Sequence, residues 1–513
     1  MDNFISDNIP GVLILKNNHT YNTLSSNKNY YKCIPRNNNL FNNKTFLIPY
    51  NKKNSFNKIY DNLYIIFSIS NDHIDNNIII ANLKEVIGPT TSYEAFQKYE
   101  LCSRGLYNSL QLHNKYIKYK CNLQDINPHL LLPFNDNNNI ITIDNDNSLD
   151  LDDAISTKIY KNDKDEDIIE ISTHISLVSY WLDIFDNWQF ICNNSNIRIN
   201  TIYLPNGEIR PIFPPLLSNK KMSLLSDDNL KPVLTTIMIY NINTKILIDY
   251  IIKPEFIYIK NNYNYNSIEL INNSTYISLI NFTYPNLSNN NDIINHSHKL
   301  IEHWMIQTNL ICGKELKKRN LPAIYKECVD IIDCNIDLHL NWKSYKSKYT
   351  LINDNNDDII HNTLNNINYV HITSPIRRWV DIWNQTLLFN GKPNELMSNF
   401  IFNQNGIHII NNITYQIKKI EKNCNLLHKL HSNNNSPIIT DGLLYFNNDK
   451  NKWNVYLIHY KSWHPLFISS LIDFENKYIK LYNNNNTLIK CSVFYFDYEY
   501  NIKKKIKIMI HDI

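Results

Sequence analysis

Cysteine is scarce and unpatterned in this chain: nine residues, an odd number, none spaced as CxxC. That argues against zinc ribbons and against a disulfide framework, and it fits a reducing compartment. Long apolar runs are missing too. Nothing approaches the roughly 18 residues a membrane span needs. The opening MDNFISDNIPGVLILKNN lacks a basic region followed by an apolar segment, so no cleaved leader is expected. The reading is an intracellular, cytoplasmic protein without a membrane partner. An excess of one charge is also absent: the formal net charge is +3 and the pI about 8.1. A nucleic-acid partner is therefore neither demanded nor excluded, because a groove needs only local positive charge. Glycine appears 8 times in 513 residues while Asn, Ile, Lys and Tyr are heavily used. That skew reads as a nucleotide bias of the gene and says little about chemistry.

What is present suffices for sizeable cores: 43% hydrophobic and 12% aromatic residues exclude a disordered scaffold. The length predicts about three domains at ~150 residues each. Residues 1–95 read as short β-rich runs (GVLILK, KTFLIPY, NLYIIFSIS, NIIIANL) parted by Asn and Ser, the pattern of a small barrel. A helical connection spans 96–124. The segment 125–432 mixes strands and helices, with a hairpin predicted at Asn206-Gly207 in INTIYLPNGEIRPIF. Alternation returns over 436–513, predicting a second small barrel. The Asn-rich runs at 288–292, 354–358 and 433–435 read as surface loops, and no internal repeat is evident. The fold class expected is multidomain α+β.

The densest chemistry lies in ITIDNDNSLDLDDAIS, where Asp144, Asp146, Asp150, Asp152 and Asp153 fall within ten positions. A calcium loop starting at Asp144 would need Gly at its sixth position and Glu at its twelfth, and finds Leu149 and Ile155. A solvated acidic loop is the plainer alternative. Against it, apolar ITI and AIS frame the cluster, and strand alternation through Leu149 to Asp152 would gather Asp150 and Asp152 on one face. Carboxylates so gathered require cations. Oxygen-only ligands suit Mg²⁺ or Mn²⁺, and two such ions provide machinery for phosphoryl transfer.

The cluster has company. TIDNDNSLDLDDAIS resembles the signature of the ribonuclease II (RNB) family of exoribonucleases, in which TID precedes a DxDDA element. THISLVSYW, TIYLPNGEIRPIFPPLLSNKKMSLL, LIEHWMIQTN and YVHITSPIRRWVD resemble further family segments in the family's order over some 250 residues. The resemblance implies a central RNB-type catalytic domain flanked by oligonucleotide-binding (OB-fold-like) barrels. It implies a 3′→5′ exoribonuclease that uses Mg²⁺, or Mn²⁺, to release nucleoside 5′-monophosphates from single-stranded RNA, as a monomer. Three positions depart from the family: Leu177 replaces an Asp, His303 a Glu and Gln385 a His. They put supporting contacts around the site in doubt, and with them rate or metal affinity. The rival is a non-catalytic RNA-binding protein on the same fold; a nuclease acting on DNA is a further one.

On that resemblance Asp144, Asp150 and Asp153 bind metal, Asp152 is catalytic, and Arg377 faces the scissile phosphate. In TSPIRRW, Ser374 reads as an N-cap and Pro375 as the first helical residue. A cation in that turn opposes the helix dipole unless an anion joins it; the plainer reading pairs Arg377 with Asp381. The resemblance also implies RNA contacts for Tyr203 and Glu421, while Arg378 tracks the backbone or faces solvent. Basic Lys220-Lys221 and KKKIK at 503–507 read equally as RNA guides or solvated faces.

Overall fold

The computed structural model describes residues 8–16, 20, 29–37, 41, 44–52, 60–75, 78–107, 109–123, 132–135, 139–146, 148–192, 198–287, 289–334, 342–352, 359–433, 436–447, 452–468, 488–496 and 505–511. Strands β1 (Ile9–Leu13), β2 (Tyr30–Pro35), β3 (Thr45–Pro49), β4 (Leu63–Asp75) and β5 (Ile78–Pro89) close into a barrel in the order β1-β2-β3-β5-β4. Alternate residues point inward, so Leu13, Phe46, Ile65 and Phe67 fill the interior. Helix α1 (Tyr93–Ser103) follows, its start fixed by the Ser92 side chain accepting from the Ala95 N–H. The helical connection expected over 96–124 is interrupted at Gly105, φ 68°, and resumes in α2 (Gln111–Leu123).

The central unit holds a six-stranded sheet of β6 (Ile141–Asp144), β7 (Asp153–Lys161), β8 (Asp167–Ser176), β11 (Lys231–Asn241), β12 (Leu247–Ile257) and β13 (Asn261–Asn264). Its order is β12-β11-β8-β7-β6-β13, antiparallel except for the parallel β6–β13 edge. Between β8 and β11 lie α3 (Val178–Ile184), α4 (Gln189–Cys192) and the short hairpin β9 (Ile202–Tyr203) and β10 (Ile209–Arg210). That hairpin turns at Gly207, φ 84°, where the sequence places it. Helices α5 (Ser274–Thr283), α6 (Asn290–Asn295) and α7 (Ser297–Lys318) come next. Ile141, Ile143, Ile155, Ile171 and Met238 of the sheet pack against Leu279, Leu300 and Trp304 of α5 and α7. Gly313 lets α7 come close, since a Cβ there would collide with the Asn368 carbonyl oxygen.

The opposite face of the sheet carries a buried polar chain. His174 bonds Ser156 Oγ through Nε2 and Thr235 Oγ1 through Nδ1, each at 2.9 Å, and Thr235 donates to Glu255 at 2.6 Å. The Ser–His–acid order invites comparison with a nucleophilic triad, but all four residues are at most 1% exposed and no substrate reaches them.

Strands β14 (Ile324–Cys334), β15 (Trp342–Leu351), β16 (Ile360–His361) and β17 (Asn366–Ile367) make a four-stranded sheet, followed by α8 (Trp379–Asn390), α9 (Glu395–Ser398) and α10 (Gly406–Ser432). The chain ends in a five-stranded sheet of β18 (Ile438–Asn447), β19 (Lys452–Leu457), β20 (Ser462–Pro465), β21 (Leu488–Phe496) and β22 (Lys505–Ile510). A parallel bridge from Leu466 to Ile508 draws its edges together. The Asn-rich run at 354–358, Ser288, Asn434, Asn435, Lys503 and Lys504 lie outside the described residues. Lys221 lies over the Trp181 ring at 5.7 Å and Lys507 over Phe467 at 3.7 Å.

Candidate active site

β6 ends on Asp144 and β7 begins on Asp153. The two strands pair antiparallel through Ile141 and Ile155, so their carboxylate-bearing ends stand side by side. The aspartate run between them is a loop, not a strand, which corrects the alternation expected from the sequence. Leu149 is 58% exposed and Leu151 only 4%. Leu151 pins the loop instead, its N–H donating to Ser223 Oγ at 3.0 Å and its carbonyl accepting from Leu224 at 3.0 Å. Asp146 is exposed.

Asp152 is the anchored member. Oδ1 accepts the Ile376 N–H at 2.8 Å, Oδ2 accepts Arg377 Nε at 3.2 Å, and its backbone carbonyl accepts the Ser176 N–H at 2.9 Å. Asp150 Oδ2 faces the Tyr203 hydroxyl at 3.5 Å. Asp144 Oδ2 is buried without a hydrogen-bond partner. Burial, then the charges of Asp153 and Asp152, pushes Asp144 up to about 8. Burial also lifts Asp152 to about 8 against the opposing pull of Arg377, and Asp153 to about 6; Asp150 is raised as well. These are carboxyls held in a low-dielectric place with too little positive charge.

Oxygen donors of this kind have the chemistry a hard divalent cation takes, and Asp144 Oδ2 is one that no protein group among the described residues engages. Among the described residues no three His, Cys, Asp or Glu side chains converge into a ready chelate. The aspartates sense one another's charge without forming a finished cage. An open set is what Mg²⁺ suits, since it keeps waters and binds through one or two carboxylates plus substrate phosphate.

The loop TSPIRRW departs from the helix start read in the sequence. Ser374 to Arg377 form a turn, with Arg377 and Arg378 N–H both donating to the Ser374 carbonyl at 3.3 and 3.0 Å, and α8 begins only at Trp379. Arg378 is extended, φ −136°, because it bridges to Asn200 while the Thr201 N–H bonds the Arg377 carbonyl at 2.9 Å. Arg377 is thus outside the helix, and the conflict with a helix dipole does not arise. Nor does it pair with Asp381. Arg378 does, Nη2 to Oδ2 at 2.8 Å, with the carboxylate 0% exposed. Arg378 is therefore committed to an internal ion pair, not turned to solvent.

The same bridge delivers Tyr203. Its N–H donates to Glu421 Oε1 of α10 at 3.1 Å, and its side chain, 41% exposed, stands beside Asp150. Asp144, Asp150, Asp152, Asp153, Arg377, Tyr203 and Glu421 come together from β6, β7, β9, α10 and two loops. One neighbour escaped the sequence reading: Tyr265, whose phenol is raised by burial and then by Asp153 and Asp144. Its N–H donates to the Asp144 carbonyl at 3.0 Å. The tyrosine-rich NNYNYN offered no motif by which to single it out.

A family model described as RNB domain matches residues 134–281, which hold the whole aspartate loop. Residues 134–281 thus match the RNB domain. The fold of the chain matches RNase R from Mycoplasma genitalium in complex with ribose-methylated single-stranded RNA, with a TM-score of 0.70 at 15% identity over 98% of this chain and 89% of that one. The same enzyme in complex with double-stranded RNA gives 0.64 at 14% identity, over 98% and 95%. Yeast Ssd1, a pseudonuclease, gives 0.58 at 12%, over 97% and 68%. No curated protein matches the sequence.

Two of the three departures from the RNB pattern meet one another. Leu177 is the N-cap of α3, makes no side-chain cap and is 0% exposed in the core. Gln385 of α8 reaches to the same helix end. Nε2 donates to the Ser176 carbonyl at 2.8 Å, and Oε1 faces the Ser179 N–H at 3.5 Å. A Leu and a Gln thus fill, by apolar packing and amide bonding, a junction where the family resemblance implies Asp and His. His303 is half-buried on α7, edge-on to Trp304 at 5.1 Å.

Proposed function

We propose that this protein is a 3′→5′ exoribonuclease that hydrolyses single-stranded RNA to nucleoside 5′-monophosphates with Mg²⁺ or Mn²⁺. The observation that carries the reading is the Arg377–Asp152 pair set against the raised carboxyls of Asp144 and Asp153. Asp144, Asp150 and Asp153 would hold the metal; bound there, it supplies activation of water and support for the leaving oxygen. Asp152, with both oxygens engaged, aims Arg377. The guanidinium also donates Nη2 to Ser374 Oγ at 2.9 Å, and Nη1 has no protein partner among the described residues. That N–H meets charge developing on a phosphoryl oxygen. Tyr203 offers a half-exposed ring for the last base to stack on, and Glu421 holds the strand that carries it. The polarity and the product rest on the RNB resemblance.

The fold likeness to a pseudonuclease keeps a second reading open, RNA binding without cleavage. The four aspartates and Arg377 favour chemistry. The test uses a 5′-labelled single-stranded RNA of about thirty nucleotides and a matched DNA, with Mg²⁺ or Mn²⁺. The wild type shortens the RNA from its 3′ end, while Asp152→Asn binds it but cleaves about a thousandfold or more slowly. An RNA that shifts on a native gel and never shortens establishes the binding protein instead.

A further inference from the structure

The two edges of the six-stranded sheet are unlike. β13, beside the aspartate site, is four residues long. β12, the other edge, runs eleven residues and leaves Ile248 53% and Ile251 46% exposed. A long apolar edge is a template for another strand unless something covers or blunts it. Its far end is covered: the Asn135 N–H donates to the Phe256 carbonyl at 2.9 Å, and the Phe256 N–H to the Pro133 carbonyl at 2.8 Å. Those bonds show which backbone groups point away from β11. The direction alternates along a strand, so Ile252 and Tyr250 present theirs outward as Phe256 does, while Asp249, Ile251 and Lys253 turn theirs to β11. Among the described residues the Ile252 N–H and carbonyl and the Tyr250 carbonyl meet no partner. The Tyr250 N–H is taken only by the carboxylate beside it, Asp249 Oδ1 at 2.8 Å.

Side chains alternate as well. Tyr250 turns toward α7, its hydroxyl donating to Glu315 at 3.0 Å. Asp249, Ile251 and Lys253 therefore share the other face. Asp249 and Ile251 are exposed there, and Lys253, its side chain 42% exposed, reaches Glu255 at 2.8 Å. Acid, apolar residue and base in that order are complementary to the same three read backwards.

We propose that β12 pairs antiparallel with β12 of a second copy of this chain, about a twofold axis at Ile251. Pairing that sets outward-pointing residues against one another centres on Tyr250, Ile251 or Ile252. Centring on Tyr250 sets Asp249 against Ile251. Centring on Ile252 sets Asp249 against Glu255, and Tyr250 against Pro254, which has no N–H. Centring on Ile251 sets Tyr250 against Ile252 twice, so that their N–H and carbonyl groups exchange bonds, and Asp249 against Lys253 twice. Asp249 yields the Tyr250 N–H to the Ile252 carbonyl of the second copy and turns to its lysine. Ile251 meets its own copy between the two ion pairs, in positions where opposing side chains come closest. Pro254 falls opposite Ile248, beside the bulge at Ile239/Tyr240 where the regular pairing ends. Two sheets become one, with each aspartate site toward its far side. The dimer does not depend on the proposed function, and it departs from the monomer that the family resemblance implied.

The test measures mass in solution by light scattering from about 1 to about 100 µM protein, the range in which a small edge interface associates. Wild type should move from the 60.8 kDa of one chain toward twice that. Asp249→Lys and Lys253→Asp should each weaken association about tenfold or more, since each sets like charges face to face twice. An equimolar mixture of the two should regain it, because every facing pair is then opposite in sign. Ile251→Cys should form a disulfide-linked dimer under mild oxidation, as Cα atoms of such a facing pair stand about 4.5 Å apart. Ile248→Cys, also exposed, should link no more than wild type, its two copies lying about 20 Å apart. Where Lys253→Asp does not fold, Asp249→Lys and the cross-link decide. A dimer that charge reversal does not weaken, or that Ile248→Cys links and Ile251→Cys does not, overturns the proposal. So does a wild type that stays at 60.8 kDa throughout; the edge, with Lys314 and Lys318 on its α7 side, would then suit an acidic strand of another protein.

Discussion

Asp144 and Asp152 at about 8 and Asp153 at about 6 tie stability to pH in the metal-free protein. Each folded value stands above the roughly 4 of an unfolded carboxyl. The folded state therefore holds more protons between those values, and stability present below about pH 4 is lost as pH rises through about 6 and 8. Without divalent ions the melting temperature should fall from pH 5 to pH 8, and Asp144→Asn should lessen the fall. Because a cation binds the ionised form, Mg²⁺ should stabilise more at pH 8 than at pH 5. A metal-free profile that is flat or rises over this range would contradict the proton count. At the same scale, Asp152 explains why an acid can matter without being a free ligand: the Ile376 N–H and Arg377 occupy its two oxygens.

Between elements, the start of α3 is the informative junction. A Leu at an N-cap forgoes about 1 kcal/mol that an Asp would contribute. Here the amide of Gln385 replaces part of that contribution from α8, and Leu177 adds apolar burial. Leu177→Asp alone places a carboxylate at a fully buried point and should cost about 2–4 kcal/mol. Gln385→His alone leaves the Ser176 carbonyl short of a donor, at about 1–3 kcal/mol. In the double variant the new pair should recover more than about 1 kcal/mol of the summed loss, read from denaturant melts as a double-mutant cycle. Strictly additive losses would show the two positions to be independent. The same pairing explains how two departures coexist near the site: they alter what supports the Ser176 turn, while the Asp152 carbonyl still holds the Ser176 N–H at 2.9 Å.

At the scale of the molecule, one aromatic cluster joins the terminal units. Val12 and Tyr64 of the first barrel, Phe96 and Tyr99 of α1, and Leu427 of α10 share a core that Tyr495 and Ile506 of the last sheet border. Tyr99 is 0% exposed, stacked on Tyr64 at 4.4 Å with the Arg36 guanidinium 5.4 Å from its ring centroid. Tyr99→Ala should cost about 3 kcal/mol and loosen the barrel from the rest. Limited proteolysis should then release the barrel earlier than the RNB domain; simultaneous digestion of both would show that the cluster does not set their order. Long apolar helices are absent among the described residues, none being able to cross a membrane.

The sequence by itself determined the elements and the acidic groups of the candidate site. Local propensity and periodicity are written in short windows, so the barrel strands and the Asn206-Gly207 turn could be read directly. Carboxylates packed as DLDD point to a counter-cation once a fold buries them. Only tertiary structure decided who faces whom. The loop course of Asp150 and Asp152 comes from Leu151 docking on Ser223 and Leu224, far along the chain. The late start of α8 comes from Asn200 claiming Arg378 as a strand partner. Arg377 and Arg378 exchange the roles local pairing suggested, because an extended residue, unlike a helical one, sends its neighbour's side chain the other way. The Leu177–Gln385 junction joins two stretches of chain, Ser176 and Gln385 lying 209 positions apart, and no window of sequence contains both.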